Sequence, residues 1–160
     1  MASATTKLGN IAFAGVLALV GLFILKSFFV TTAPTPEMFS EGLTLQQAVD
    51  RSAEKDGVVL AVVTADWCGP CQNYKKNGLS DERVAQWIDQ HGAPAYINYD
   101  LNKDLASELG VHSFPTTLFI YQGRTLGAIS GGMSGDTLLK FLDRGLAEVN
   151  STQAAATGAE

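Results

Sequence analysis

The sequence predicts an α/β fold with a mixed central β-sheet flanked by helices, preceded by a single transmembrane helix. Two observations predict the sheet. Apolar runs typical of strands alternate with segments of helical periodicity, and the last two strands are joined by a short turn. A third observation predicts the membrane helix, since residues 11–25 contain no polar side chain.

Residues 11–30 are long enough to cross a membrane, because about 20 helical residues span the roughly 30 Å hydrocarbon core. We therefore expect a short tail at 1–10 and an anchor at 11–30. A cleaved signal peptide and a buried core helix remain as alternatives. Lys7 favours an inside amino terminus, which predicts a single-pass membrane protein with its main domain on the periplasmic side.

The anchor is followed by a segment with the composition of a spacer. Residues 31–42 hold two prolines and several small polar residues, which predicts a semi-extended linker. The globular domain is expected over residues 43–148. Residues 149–160 are small and polar, and we expect a disordered tail there.

The domain opens with a predicted helix at 43–55, where apolar residues recur at helical spacing. A continuous β-branched run at 58–63 predicts a strand buried on both faces. The cysteine motif then opens a helix that continues to Lys75, and Ser80 caps a helix that continues to Gln90. The remaining predicted elements are a strand at 95–99, a helix at 101–109, strands at 116–121 and 126–130 joined by a turn at 122–124, and a helix capped by Ser134.

Charge and cysteine content exclude several classes of protein. The net charge is −5, from 11 basic and 16 acidic residues without a basic patch, so we expect no nucleic-acid partner. The two cysteines lie three positions apart and close too small a loop to stabilise a fold. Structural zinc needs four ligands, and the spacing of His91 and His112 does not complete such a site. We expect no metal and no cofactor, although two thiolates could hold Cu(I).

The cysteine pair has the spacing that disulfide exchange requires. Cys68 falls at the predicted start of a helix, where unpaired N–H groups and the helix dipole favour a thiolate. Cys71 falls one turn later, within reach of the first sulfur. Gly69 lets the turn form, and Pro70 suits a first helical turn. Cys68 would attack a substrate disulfide, and Cys71 would resolve the adduct and leave a Cys68–Cys71 disulfide.

Two segments resemble the thioredoxin family. Residues 65–71, ADWCGPC, resemble its active site, and residues 111–117, VHSFPTT, resemble its cis-proline segment. The run at 76–84 and a domain that begins with a helix resemble the C-terminal thioredoxin-like domain of membrane thiol:disulfide interchange reductases. The resemblance implies a thioredoxin-like fold and a protein-disulfide reductase. Its partners would be protein thiols and disulfides and an upstream electron donor.

The resemblance also implies where the substrate binds. Pro115 is expected to be cis and to lie opposite the cysteines, in a groove where the substrate backbone pairs as an added strand. Trp67 is expected beside Cys68 as an apolar platform. The expected substrate-binding residues are Trp67, Gly69, Pro70, Phe114, Pro115 and Thr116.

The sequence departs from the family at the group that accepts a proton from the second cysteine. The usual buried Asp is replaced by Val62, the lysine that faces it by Tyr96, and an acidic residue of the reductase subgroup by Lys75. The nucleophile is retained, but we expect slower turnover because general-base catalysis is typically worth roughly 10²–10⁴-fold. A non-catalytic binding module and a copper or haem-maturation metallochaperone remain as alternative functions.

Overall fold

The fold is built on a four-stranded mixed sheet. The structure is a computed structural model that describes residues 14–22 and 32–157. The strands lie in the order β2-β1-β3-β4, with β1 parallel to β2, and with β3 antiparallel to both β1 and β4. Their bounds are Val58–Thr64 for β1, Gly92–Asn98 for β2, Thr116–Tyr121 for β3 and Arg124–Ser130 for β4.

Helices cover both faces of this sheet, as the sequence predicted. The central strand β1 is buried along its whole length, and its alternate residues enter two separate apolar clusters. The helices of the domain are α1 at Leu45–Ala53, α2 at Gly69–Lys76, α3 at Glu82–His91, α4 at Lys103–Glu108 and α5 at Gly135–Thr157. One cluster includes residues of α2, α3 and α5, and the other includes residues of α1 and α4.

Two of the differences from the predicted helix ends have local reasons. The N-cap of α3 is Asp81 rather than Ser80, because the Asp81 carboxylate accepts the backbone N–H of Arg83. Hydrogen bonds from Arg83 lower the pKa of Asp81. Helix α5 continues to Thr157, whereas a disordered tail was expected from residue 149. Alanines at 154–156 favour helix, and this propensity outweighs the small polar residues around them.

The membrane prediction is corrected by the structure. Within the predicted anchor, residues 14–22 are helical. Residues 11–13 and 23–30 of that interval lie outside the described residues. Across 14–22 and 32–157, no helix is both long and apolar enough to traverse a bilayer. The predicted location, a single-pass membrane protein with its main domain on the periplasmic side, is corrected by this finding.

The predicted spacer instead packs against the domain. Residues 32–39, here called the strap, form no regular element up to Pro36, whose backbone is extended, and then form a short 3-10 helix at Glu37–Phe39. Ala33, Pro36 and Phe39 are buried. This spacing of three residues matches the repeat of both an extended polyproline-type chain and a 3-10 helix. One side of the strap therefore faces the domain.

Phe39 anchors the strap in the main apolar cluster. Its ring lies 5.5 Å from the ring of Tyr96 in β2, centroid to centroid. The same cluster includes alternate residues of β1, so Phe39 shares the core with the central strand. The strap is thus part of the core, although it precedes the first regular element of the domain.

We expect Phe39→Ala to lower the free energy of unfolding by roughly 3–5 kcal/mol, because it removes a buried aromatic ring and leaves a cavity. Chemical denaturation of the full chain measures this change. The matched control is Glu37→Ala in the same 3-10 helix, whose exposed side chain should change the free energy by less than about 0.5 kcal/mol. Equal effects of the two variants would show that the strap does not belong to the core.

Candidate active site

The cysteine pair lies where β1 ends and α2 begins. Cys68 has an extended backbone and is the N-cap of α2, so its side chain meets the free N–H groups of the first turn. Its Sγ accepts the backbone N–H of Cys71 at 3.2 Å. Pro70 lies in that first turn, where no helical hydrogen bond requires its missing N–H. The predicted position of the pair at a helix start is therefore confirmed.

The two cysteines are bonded to each other and differ in exposure. The S–S distance between Cys68 and Cys71 is 2.10 Å. Cys68 retains 6% of its residue surface exposed, whereas Cys71 is fully buried. Of the two residues, Cys68 alone keeps a surface toward solvent, an asymmetry that suits a nucleophile and a resolving thiol.

The opposite wall of the site is formed by the loop before β3. The Phe114–Pro115 peptide bond is cis, as the resemblance implied. The carbonyl oxygen of Phe114 lies 3.6 Å from Cys68 Sγ, so the loop and the cysteine pair are in direct contact. The carbonyl oxygen of Pro115 accepts the N–H of Gly131 at 2.7 Å. Gly131 has a φ of +98°, a conformation that favours glycine, and this allows β4 to end beside the loop.

An aromatic surface borders Cys68. Trp67 is 58% exposed, and its ring meets the ring of Phe114 edge-on at 6.0 Å. Its indole N–H donates to the Asp100 carboxylate at 3.2 Å, which fixes the orientation of the ring. Tyr99 also packs against the Phe114 ring, with the ring centroids 4.5 Å apart. Sequence reasoning found Trp67 and Phe114 but missed Tyr99 and Asp100, which follow β2.

The other predicted substrate-binding residues differ in exposure. Gly69 and Pro70 lie exposed beside the cysteines, whereas Pro115 is buried. Thr116 is buried as well, and its hydroxyl donates to the Ser113 carbonyl oxygen at 2.8 Å. The Thr116 side chain therefore stabilises the loop instead of facing outward.

The position of the missing carboxylate is apolar. Val62 is fully buried in β1, paired with Tyr96 in β2 and Thr117 in β3. The nearby Tyr74 hydroxyl bonds the Thr117 hydroxyl at 3.0 Å. Burial raises the pKa of Tyr74 to about 12, so this phenol stays protonated at neutral pH and is not a base for Cys71.

A buried lysine lies in the same part of the domain. Lys75, one helical turn after Cys71, is only 2% exposed. Its Nζ lies 3.4 Å from the carboxylate of Asp66 and 5.4 Å from the centre of the Tyr96 ring. The amide of Asn98 also donates to Asp66, at 3.1 Å. The carboxylate of Asp66 is thus held by two side chains.

This ion pair neutralises the carboxylate closest in sequence to Cys68. A charge on Asp66 alone would oppose a thiolate two residues away, and the buried Lys75 cation compensates it. In the sequence, Lys75 was noted only because the reductase subgroup has an acidic residue at this position. A charged side chain is expected at the surface, so no sequence signal predicted its burial.

Comparisons with known proteins agree with this geometry. The family described as Thioredoxin-like domain matches residues 45–146. Thioredoxin 1 from Synechococcus elongatus is 33% identical over 88 residues, which make up 55% of this chain and 79% of that protein.

Solved structures show the same likeness. A mutant thioredoxin from Halobacterium salinarum is 31% identical, with a TM-score of 0.52 over 62% of this chain and 82% of that one. A thioredoxin from Thermus thermophilus has a TM-score of 0.57 over 63% of this chain and 82% of its own. Because the identity to the Thermus thermophilus protein is only 21%, this likeness shows that the two chains share a fold and nothing about function.

We expect Lys75→Met to lower the reduction potential of the cysteine pair by about 10–30 mV, where 30 mV corresponds to about 1.4 kcal/mol. The variant removes a cation and leaves the charge of Asp66 uncompensated, with only the Asn98 amide as its partner, and both changes disfavour the thiolate of the reduced state. Equilibration with a dithiol of known potential measures the shift. The exposed Lys76→Met is the matched control, and an equal shift in that variant would contradict a specific role for the buried ion pair.

Proposed function

Since the chain belongs to the thioredoxin family of domains, we propose that it reduces disulfides in other proteins through a Cys68/Cys71 dithiol–disulfide cycle. Its family and its cysteine pair make it a thiol–disulfide oxidoreductase. The observation that carries the proposal is the unequal exposure of the two cysteines. Cys68 can meet a substrate, and Cys71 can meet only Cys68.

The first step is attack by the Cys68 thiolate on a substrate disulfide. A bond forms between Cys68 Sγ and one substrate sulfur, the substrate S–S bond breaks, and the other sulfur leaves with the electron pair and takes up a proton. The N–H of Cys71 and the start of α2 stabilise the thiolate before attack. The product is a mixed disulfide on the one cysteine of the pair that keeps exposed surface.

The second step is attack by Cys71 on Cys68. A Cys68–Cys71 bond forms, the mixed disulfide breaks, and the second substrate sulfur leaves as a thiolate that is then protonated. The substrate has gained two electrons and two protons. The cysteine pair has lost two electrons and the protons of both thiols, the Cys68 proton having gone to solvent when the thiolate formed. Cys71 must release its proton in a site where Val62 replaces the usual carboxylate, so solvent or the leaving thiolate of the substrate takes it.

The aromatic surface is proposed to bind the polypeptide that carries the substrate disulfide. Trp67 offers an exposed apolar ring beside Cys68, and Gly69 and Pro70 leave the approach open. On the other side, the backbone of Phe114 and Pro115 lies next to Cys68 and is proposed to pair with the substrate as an added strand. Thr116 contributes to this groove by holding the loop.

The cycle requires a partner that reduces the Cys68–Cys71 disulfide again. We propose an upstream dithiol, which would attack Cys68 because Cys71 is inaccessible. A reductase and an oxidant share this chemistry and differ in reduction potential. The potential of the cysteine pair, measured in the full chain, therefore tests the proposed direction, and a value near that of strong oxidants would contradict it.

We expect the reduced chain to cleave the disulfides of insulin in the presence of a dithiol, and Cys68→Ser to abolish the activity because it removes the nucleophile. Cys71→Ser should instead accumulate a mixed disulfide with the substrate, because the adduct on Cys68 cannot be resolved. Non-reducing electrophoresis and mass spectrometry detect that adduct. An inactive wild-type chain with both thiols reduced would refute the proposed function.

We expect Val62→Asp to accelerate disulfide exchange by up to roughly 10²-fold, because it supplies the proton acceptor that Cys71 lacks. The carboxylate would enter next to Tyr96, over whose ring Lys75 lies. Stopped-flow measurement of insulin or small-disulfide reduction gives the rate. Val62→Asn is the control for polarity at this buried position, and equal rates in the two folded variants would show that a base here does not assist Cys71.

A further inference from the structure

Near its beginning, the strap forms a hydrogen bond to α2, the helix that carries the cysteines. The strap precedes the part of the chain that matches the family, which begins at residue 45. The backbone N–H of Ala33 donates to Gln72 Oε1 at 2.7 Å, in a buried environment. Gln72 directly follows Cys71 and is only 4% exposed. The strap is therefore connected to α2 by a buried bond, in addition to the packing of Phe39.

The same Gln72 side chain also binds the turn before Cys68. Its Nε2 donates to the carbonyl oxygen of Asp66 at 3.0 Å and to that of Ala65 at 3.3 Å. A carboxamide has one acceptor oxygen and two N–H donors. Ala33 uses the oxygen, and the two carbonyls use the donors, so a single side chain joins the strap to the turn.

This turn determines where the nucleophile lies. The Ala65 carbonyl oxygen accepts the N–H of Cys68 at 3.2 Å as well as the Gln72 amide. Ala65 is fully buried and packs against both cysteines. Any rotation of the peptides at 65 and 66 would therefore move Cys68 relative to the N–H of Cys71 that stabilises its sulfur.

We infer that Gln72 is a positioning residue that couples the strap to the cysteine turn, so that residues 32–39 are part of the redox centre. If the Ala33 N–H is lost, Gln72 Oε1 is a buried acceptor without a donor, which costs free energy. The carboxamide then rotates so that Oε1 finds another donor, and its Nε2 loses the hydrogen bonds to the two carbonyl oxygens. Cys68 then loses the fixed geometry that favours its thiolate. The inference deepens the proposed function and rests on it for its effect on turnover.

Two variants of the full chain test this coupling. Gln72→Met removes all three bonds at similar side-chain length, and Ala33→Pro removes only the N–H of the strap. The matched controls are Gln90→Met and Glu82→Pro, which place the same residue types at exposed positions outside the strap, the second at the first position of α3, where proline is tolerated. The first readout is the rate of alkylation of the reduced chain by iodoacetamide against pH, which reports ionisation of the accessible Cys68. The second is the rate of exchange with a small disulfide.

We expect both test variants to need a higher pH to reach half of their maximal alkylation rate, and to exchange slower at neutral pH by on the order of tenfold. The double variant should be no slower than Gln72→Met alone, because both changes act through one carboxamide. Independent, multiplying effects would overturn the coupling. So would an Ala33→Pro pH profile identical to that of the wild type.

The alkylation profile distinguishes failure of this inference from failure of the proposed function. It needs only reduced cysteines and no substrate protein. A wild-type chain that does not reduce disulfides would refute the function, while its alkylation profile would still report the coupling. Active wild-type protein with unchanged profiles in both test variants would refute the coupling alone.

Discussion

The contact between the backbone N–H of Cys71 and the sulfur of Cys68 is the interaction on which the other features of the site depend. It exists because α2 begins at Cys68, and α2 begins there because β1 ends shortly before it. The uninterrupted burial of β1 fixes that end point with respect to the sheet. A chain whose central strand slipped by one residue would place its side chains on the wrong faces and move the helix start with them.

The sequence predicted the parts of this arrangement that depend on local pattern. The strand at 116–121 has the predicted bounds, and the cysteine helix begins and ends within a residue of the expected positions. The cis bond before Pro115 was implied by resemblance to a family, since most such bonds are trans and no local pattern distinguishes the exceptions. The sequence pattern did not distinguish Ser80 from Asp81 as the N-cap, because both residue types cap helices equally well.

Features that depend on distant contacts could not be predicted in this way. The strap has the composition of a flexible linker, and only its burial against Tyr96 and Gln72 shows that it belongs to the domain. Gln72 and Lys75 are polar residue types that are mostly exposed, so their burial contradicts the prior expectation for each. Each is buried because a specific partner satisfies it, and those partners lie elsewhere in the chain.

The complete burial of Cys71 has a kinetic consequence. In the proposed cycle every covalent intermediate is attached to Cys68, because Cys71 has no exposed surface at which an adduct could form. Attack by Cys71 on such an adduct would be intramolecular and would need no second collision, so release of the bound protein would not require any other thiol. The resolving step of each covalent complex would thereby be carried out within this one chain, and small thiols in the surroundings would not compete for its second sulfur.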